Sequence, residues 1–554
     1  MTMQRPQGGV GVIARLLAVM ALWLSPWALL SAQPKLAVVI VVDQMRADFL
    51  DEFAHDYSGG LARLREQGAV FVQARHDHAL TETSPGYATI ATGVFPSRHG
   101  LVGNEIWDRP SGQIVGAVID PDGRMVGAER RSGRSPHRLL REGFSDWLKT
   151  QSPDSKSFAI AVKDRSAIAL AGMHPDGAYW YDERAGRFAT SSYYREELPP
   201  WVVAFNAAAR VDAYYGTRWE PLYPAQHYGR ADTASSLVTA GRVYSEFPHE
   251  LVGESDVPDR RFYTIFRLTP FADRLALEFA RQLIDAEQLG TDASSDLALI
   301  GLSAADYIGH RYGPWSAEVH DYYAHIDAYL GEFLAYLDQG VGAGEYIVVL
   351  TADHGVMPIP EQLAEQGTAA VRLHPDALLA YVEPAVAEAV RRGVVDSKPV
   401  LRYEFGVIFD FGDARVTDAQ RESLQRIVAA RLAQHPVVAE AFTYAQLRAG
   451  DGGESPWFGR FQRSFHPERA PDVVVLPKAN QLITDRRRGT THGSPYDYDS
   501  HVPLVFWGPG IERGRYEMPV RTVDIAPTLA GLLGIAAPED LDGVDLGARL
   551  HGEN

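Results

Sequence analysis

Three short apolar runs, each closing on an aspartate, constrain the fold of this chain more than any other feature. Leu36-Ala37-Val38-Val39-Ile40-Val41-Val42 precedes Asp43, Leu297–Leu302 leads to Asp306, and Tyr346–Leu350 leads through Thr351 and Ala352 to Asp353. A continuous run rich in β-branched residues reads as a strand buried on both faces, which implies a parallel sheet with helices on either side. In open α/β sheets the ligand sits at the carboxyl edge of the strands. Three carboxylates gathered there repel one another, so a metal cluster is the simplest way to neutralise them.

Imidazoles accompany these acids. Asp306 and His310 are four residues apart and share a face if the segment is helical. Asp353 and His354 are adjacent after a strand, where side chains diverge unless something gathers them. Near the C-terminus, His501 precedes another apolar strand, Val502–Trp507, and reads as the remaining imidazole ligand; His492 reads as a loop residue behind the ligands.

Thr81-Glu82-Thr83-Ser84-Pro85-Gly86-Tyr87 opens a run of small and apolar residues and reads as a helix N-terminus, with Thr83 near the cap and Pro85 in the first turn. Free backbone N–H groups and the positive end of the helix dipole suit a phosphate there. A threonine hydroxyl so placed attacks phosphorus if its pKa is lowered.

The 554 residues, 46% of them hydrophobic, are enough for a large core and more than one folded unit. A formal charge of -18 argues against a general nucleic-acid binder. Residues 1–32 carry Arg5, Arg15, an apolar stretch from Leu16 to Leu30 and the small exit Ser31-Ala32, which is a secretory signal pattern cleaved after Ala32. The mature chain, 33–554, is then expected in the periplasm or secreted, as a monomer without a stable membrane anchor. The chain has no cysteine, so any metal must be held by histidine and carboxylate. Two stretches interrupt the core pattern. Residues 172–290, rich in Tyr, Trp and Pro, read as a cap insertion, and 375–465 as a small α+β insertion.

Taken together, Asp43, Thr83, Asp306, His310, Asp353, His354 and His501 resemble the metal site of the alkaline phosphatase superfamily, with the motifs in the family's order from Val38 to beyond His501. The resemblance implies an α/β fold, with a mostly parallel central sheet flanked by helices and carrying cap insertions. It also implies two zinc ions side by side. Asp306, His310 and His501 would hold one; Asp43, Asp353, His354 and the Thr83 oxygen would hold the other. Nitrogen and oxygen ligands without thiolate suit zinc, though manganese, cobalt or iron fit the same donors. Thr83 would be the nucleophile, forming a covalent phosphothreonine on a small-molecule phosphate ester.

Two further motifs point to a branch. His99-Gly100-Leu101-Val102-Gly103-Asn104 resembles the family segment whose Asn binds a phosphoryl oxygen, here Asn104. Lys163-Asp164-Arg165 looks like the motif of the phosphate-irrepressible alkaline phosphatases with a Thr nucleophile, and suits the extra charge of a monoester dianion. That implies a phosphomonoesterase, the alternative being a phosphodiesterase or nucleotide pyrophosphatase using the same site. Ser84 and Tyr87 depart from the family's usual Gly and His. A sulfatase lacks its Cys here, and an inactive binding protein would have no need for the full constellation.

Overall fold

The computed structural model describes residues 1–2, 33–129, 131–228 and 247–552, so nearly all of the expected leader lies outside the described residues. An eleven-stranded sheet forms the centre. From edge to edge it runs Gly514–Arg521, Ala69–Arg75, Leu504–Trp507, Tyr346–Thr351, Leu36–Val42, Asp296–Leu302, Ser157–Ala161, Gly177–Asp182, Arg187–Ser191, Ile119–Val126 and Ser132–Arg134. Five strands position the site: β1 (Leu36–Val42), β2 (Ser157–Ala161), β3 (Asp296–Leu302), β4 (Tyr346–Thr351) and β5 (Leu504–Trp507).

β1 pairs in parallel with β3 on one side and β4 on the other, and β3 pairs in parallel with β2. The registers Val42 to Leu302, Val41 to Thr351 and Gly301 to Ala161 bring all four carboxyl ends to one level. Alternation of side chains explains why β1 is apolar throughout. Val38, Ile40 and Val42 join one core, while Ala37, Val39 and Val41 join the other. Each fully buried Val or Ile contributes about 1.5–3 kcal/mol. A charge inside this strand would therefore face a core whichever way it pointed.

Helices cover both faces. The ones that matter for the site are α1 (Thr83–Thr92), α2 (Ala304–Tyr312) and α3 (Ala317–Leu337). α1 is buried along its whole length and ends on Gly93 in the left-handed conformation (φ 65°).

The stretch expected as a cap, 172–290, starts inside the sheet. Gly177–Asp182 and Arg187–Ser191 are sheet strands, and Pro270–Glu287 is a helix packed against the β2 and β3 region. Tyr179 and Trp180 are buried on opposite faces, one in each core. Within the second stretch, the helices Pro375–Arg391 and Asp418–Leu432 and the strands Val400–Tyr403, Gly406–Asp410 and Val438–Thr443 share a core of their own. The sheet of that unit is completed by Val473–Pro477, beyond the expected boundary at 465. Among the described residues no helix is long and apolar enough to cross a membrane.

Candidate metal centre and active site

The strand order β2-β3-β1-β4 delivers four charged side chains to one edge in the spatial order Lys163, Asp306, Asp43, Asp353. Asp43 follows β1 directly and Asp353 follows β4. Asp306 lies in the first turn of α2, and Lys163 just precedes the helix Asp164–Ala171. All four are buried. Lys163 Nζ lies 2.8 Å from Asp43 Oδ2 and 2.5 Å from Asp306 Oδ2, so one ammonium partly balances two acids. Burial works to raise the Asp306 carboxyl, but the Lys163 ammonium beside it counters this and the carboxyl lies well below the usual carboxylate range. Burial, reinforced by the neighbouring Asp43, pushes Asp353 well above that range.

Three imidazoles face these acids, each held the same way. His310 Nδ1 is 2.8 Å from Thr490 O, His354 Nδ1 is 2.9 Å from Gly355 O, and His492 Nδ1 is 2.7 Å from Thr81 O. A nitrogen facing a carbonyl oxygen must be the N–H donor, which leaves the Nε2 lone pair directed at the carboxylates when the ring is neutral. Burial keeps His310 neutral, lowering it to about 4, and holds His354 well below its usual value. His310 Nε2 lies 3.1 Å from Asp306 Oδ1, His492 Nε2 3.5 Å from the same oxygen, and His354 Nε2 3.3 Å from Asp353 Oδ2.

The donors fall into two groups, Asp43–Asp353–His354 and Asp306–His354–His492, each with ligand atoms within 4.8 Å of one another. Asp43 Oδ1, Asp353 Oδ2, His354 Nε2 and Thr83 Oγ1 are buried and have no hydrogen-bond partner among the described residues. Leaving such atoms unpaired costs about 1–3 kcal/mol each, more where charged. A divalent cation is the partner that suits three anionic or lone-pair donors and a hydroxyl at once, so the residues present fit a metal centre.

His501 is not part of this arrangement, contrary to the sequence expectation. β5 runs antiparallel to β4, which does bring its start to the carboxyl edge. However, His501 forms a backbone bridge to Arg75, and its Nε2 lies 2.8 Å from Val72 O, on the neighbouring strand Ala69–Arg75. His492 takes the place instead. Its ring stacks on His354 at 3.5 Å and lies 5.0 Å from His310. The loop that carries it is fixed by Asp499, whose carboxylate accepts from the Ser494 N–H at 2.9 Å and the Ser494 hydroxyl at 2.5 Å.

Thr83 is the first residue of α1. Gly86, in the same turn, packs so closely on the strand end that a Cβ there would come 2.1 Å from Asp353 O. Only glycine allows this approach of Thr83's turn to the acid. The Ser84 N–H and hydroxyl both donate to Asn104 Oδ1, at 2.9 and 3.0 Å. Asn104 Nδ2 donates to Glu82 Oε1 at 3.2 Å, and Glu82 Oε2 accepts from the Asn104 N–H at 2.8 Å. These contacts fix which end of the Asn104 amide is the donor, and its Nδ2 carries a second N–H besides the one that meets Glu82. Arg165 follows Lys163 on the same segment and its Nε has no hydrogen-bond partner among the described residues.

The sequence reading did not single out Gln44 and Glu82. Gln44, with φ 67°, donates its N–H to Asp353 Oδ1 at 3.1 Å and its Nε2–H to Asp306 Oδ1 at 2.6 Å, tying the two acids together. Its place directly after Asp43 was the available signal.

A largely parallel sheet with paired carboxylate and imidazole groups at its carboxyl edge, facing a threonine at a helix N-terminus, defines a member of the alkaline phosphatase superfamily. Within it the chain belongs to the type I phosphodiesterase / nucleotide pyrophosphatase family, whose model matches residues 37–499. A protein named calcium-transporting ATPase from Myroides odoratus is 33% identical, over 91% of this chain and 93% of its own length. Alkaline phosphatase PafA from Elizabethkingia meningoseptica is 31% identical, over 91% and 92%. A crystal structure of wild type alkaline phosphatase PafA superposes with a TM-score of 0.81 at 30% identity, covering 93% of this chain and 98% of the other.

Proposed function

We propose that the chain is an exported, metal-dependent phosphatase that hydrolyses small-molecule phosphate monoesters through a phosphothreonine on Thr83. The observation that carries this is the unpartnered Thr83 hydroxyl at a helix N-terminus beside a buried set of carboxylates and imidazoles. Relatives named alkaline phosphatase support the same reading.

Asp43, Asp353, His354 and Thr83 would hold one zinc ion, and Asp306, His310 and His492 the other. Zinc there would supply positive charge for the attacking and departing oxygens of an in-line displacement. Thr83 Oγ attacks phosphorus, a new Oγ–P bond forms, and the ester P–O bond breaks with loss of the alcohol. Water then hydrolyses the phosphothreonine and returns Thr83 to its starting state. The second Nδ2–H of Asn104, whose amide is oriented by Ser84 and Glu82, would donate to a phosphoryl oxygen. Lys163 and Arg165 would meet the additional charge of a monoester dianion.

The description of the matching family favours a second reading, a phosphodiesterase using the same residues. The transport activity in the name of one relative is not carried over, because the residues gathered at the sheet edge are those of a hydrolytic site.

Steady-state hydrolysis of p-nitrophenyl phosphate beside bis-p-nitrophenyl phosphate, at alkaline pH with zinc, separates the readings. Because Lys163 also balances Asp43 and Asp306, Arg165→Ala is the cleaner variant. A monoester preference, with a loss on the order of 100-fold confined to the monoester in Arg165→Ala, is the expected result. A diester preference unchanged by the substitution would assign the protein to the second reading.

A further inference from the structure

We propose that His55, Asp56, His227 and His320 form another metal centre, separate from the catalytic one, which takes a divalent ion of the zinc type and braces the segment around His227 against the body of the protein.

Each of the four residues offers a ligand atom, and these atoms lie within 4.8 Å of one another. His227 Nε2 is 2.7 Å from Asp56 Oδ1, His320 Nε2 is 2.7 Å from Oδ2, and His55 Nε2 is 3.5 Å from Oδ2. The three rings form a near-equilateral triangle, with centres 5.5, 5.6 and 5.8 Å apart. A carboxylate that only had to accept hydrogen bonds would be satisfied by His227 and His320. The third imidazole, presenting the same nitrogen to the same point, completes three nitrogens and one oxygen, a tetrahedral donor set that suits zinc.

Packing sets the rings before any ion arrives. His320 stacks on Phe53 at 4.4 Å, and Tyr223 lies 4.2 Å from His227. The Asp56 side chain is only 5% exposed, whereas that of His55 is 56% exposed. The acid is thus shielded while one ligand stays open to solvent, and a cavity of about 380 Å³ gives a route in.

The ligands come from three parts of the chain: the turn Ala54–Asp56, the turn Ala225–Tyr228, and α3. Pro314 and Trp315, between α2 and α3, line the same cavity. An ion here would hold the His227 turn to α3 and buttress the connection that follows the helix bearing Asp306 and His310. The His227 turn has a second anchor, since Asp321 accepts from Trp219 Nε1–H, the Leu222 N–H and the Tyr228 hydroxyl. Removing His227 therefore leaves the segment attached.

The test uses the full chain incubated with zinc chloride and dialysed exhaustively against metal-free buffer, with zinc counted by mass spectrometry. Wild type should retain one more zinc per chain than His227→Ala and than Asp56→Asn, and His354→Ala should still hold that additional ion. Equal zinc in wild type and His227→Ala would overturn the proposal, even if Asp56→Asn failed to fold. So would a finding that His227→Ala and His354→Ala remove the same ion.

Discussion

The difference between His492 and His501 turns on where a ring's second nitrogen goes. In His492 the Nδ1–H is engaged by Thr81 O and Nε2 points to Asp306. In His501 it is Nε2 that faces a backbone carbonyl, that of Val72. His492→Ala should therefore lose one metal equivalent and at least about 100-fold in phosphatase rate. His501→Ala should keep both within a fewfold, and a reversed pattern in metal content and rate would restore His501 as the ligand. Asp43, Asp353 and His354 were legible because each sits where an apolar run stops, a local signal in the sequence. His492 was not, because its place depends on a loop folded back over Thr81 and held by Asp499, contacts separated by hundreds of residues or made by a side chain with no motif of its own.

At the scale of elements, the Thr83 turn is positioned by how closely α1 approaches the end of β4. The Ser-Pro-Gly sequence announces a helix start, but only the packed structure shows that Gly86 is needed for contact with the Asp353 main chain. In Gly86→Ala the added methyl must push α1 away from the strand end, at about 1–3 kcal/mol of stability. Displacing Thr83 by even about 1 Å should lower the monoesterase rate on the order of 100-fold with little change in retained zinc at the Asp306 group. Wild-type rates in a folded Gly86→Ala protein would show that the close approach is not required. The strands themselves were readable because β1 is apolar throughout and β3 and β4 carry the unbroken apolar runs Leu297–Leu302 and Tyr346–Leu350. Gly177–Asp182 was misread because its aromatic residues, buried on both faces, show neither alternation nor a β-branched run.

For the molecule as a whole, burial of neutral histidines outside the catalytic site bears on acid stability. Burial lowers His76 to about 4 and His99 to about 3. His99 Nδ1 accepts the Leu101 N–H at 3.2 Å, a bond that its protonation destroys. Since the unfolded chain takes up these protons near pH 6.5 and the folded one does so only near 3 to 4, the unfolded state binds more protons between those values. Stability from these groups is complete above about pH 6.5 and is lost as pH falls through the folded values. At about 1.4 kcal/mol per unit, the His76 shift alone corresponds to roughly 3 kcal/mol, a substantial part of a typical net stability of about 5–15 kcal/mol. Asp273 and Asp499, pushed up to about 7 by burial, act in the opposite direction, since their folded forms hold protons that the unfolded chain has released. The total pH profile therefore mixes opposing contributions, and the informative quantity is a difference. Urea unfolding of wild type and His99→Gln from pH 8 to pH 4 should give curves that converge on acidification, the variant being less stable at pH 8 but losing less below about 6.5. Parallel curves would mean that His99 titrates alike in both states and that its burial does not govern acid unfolding.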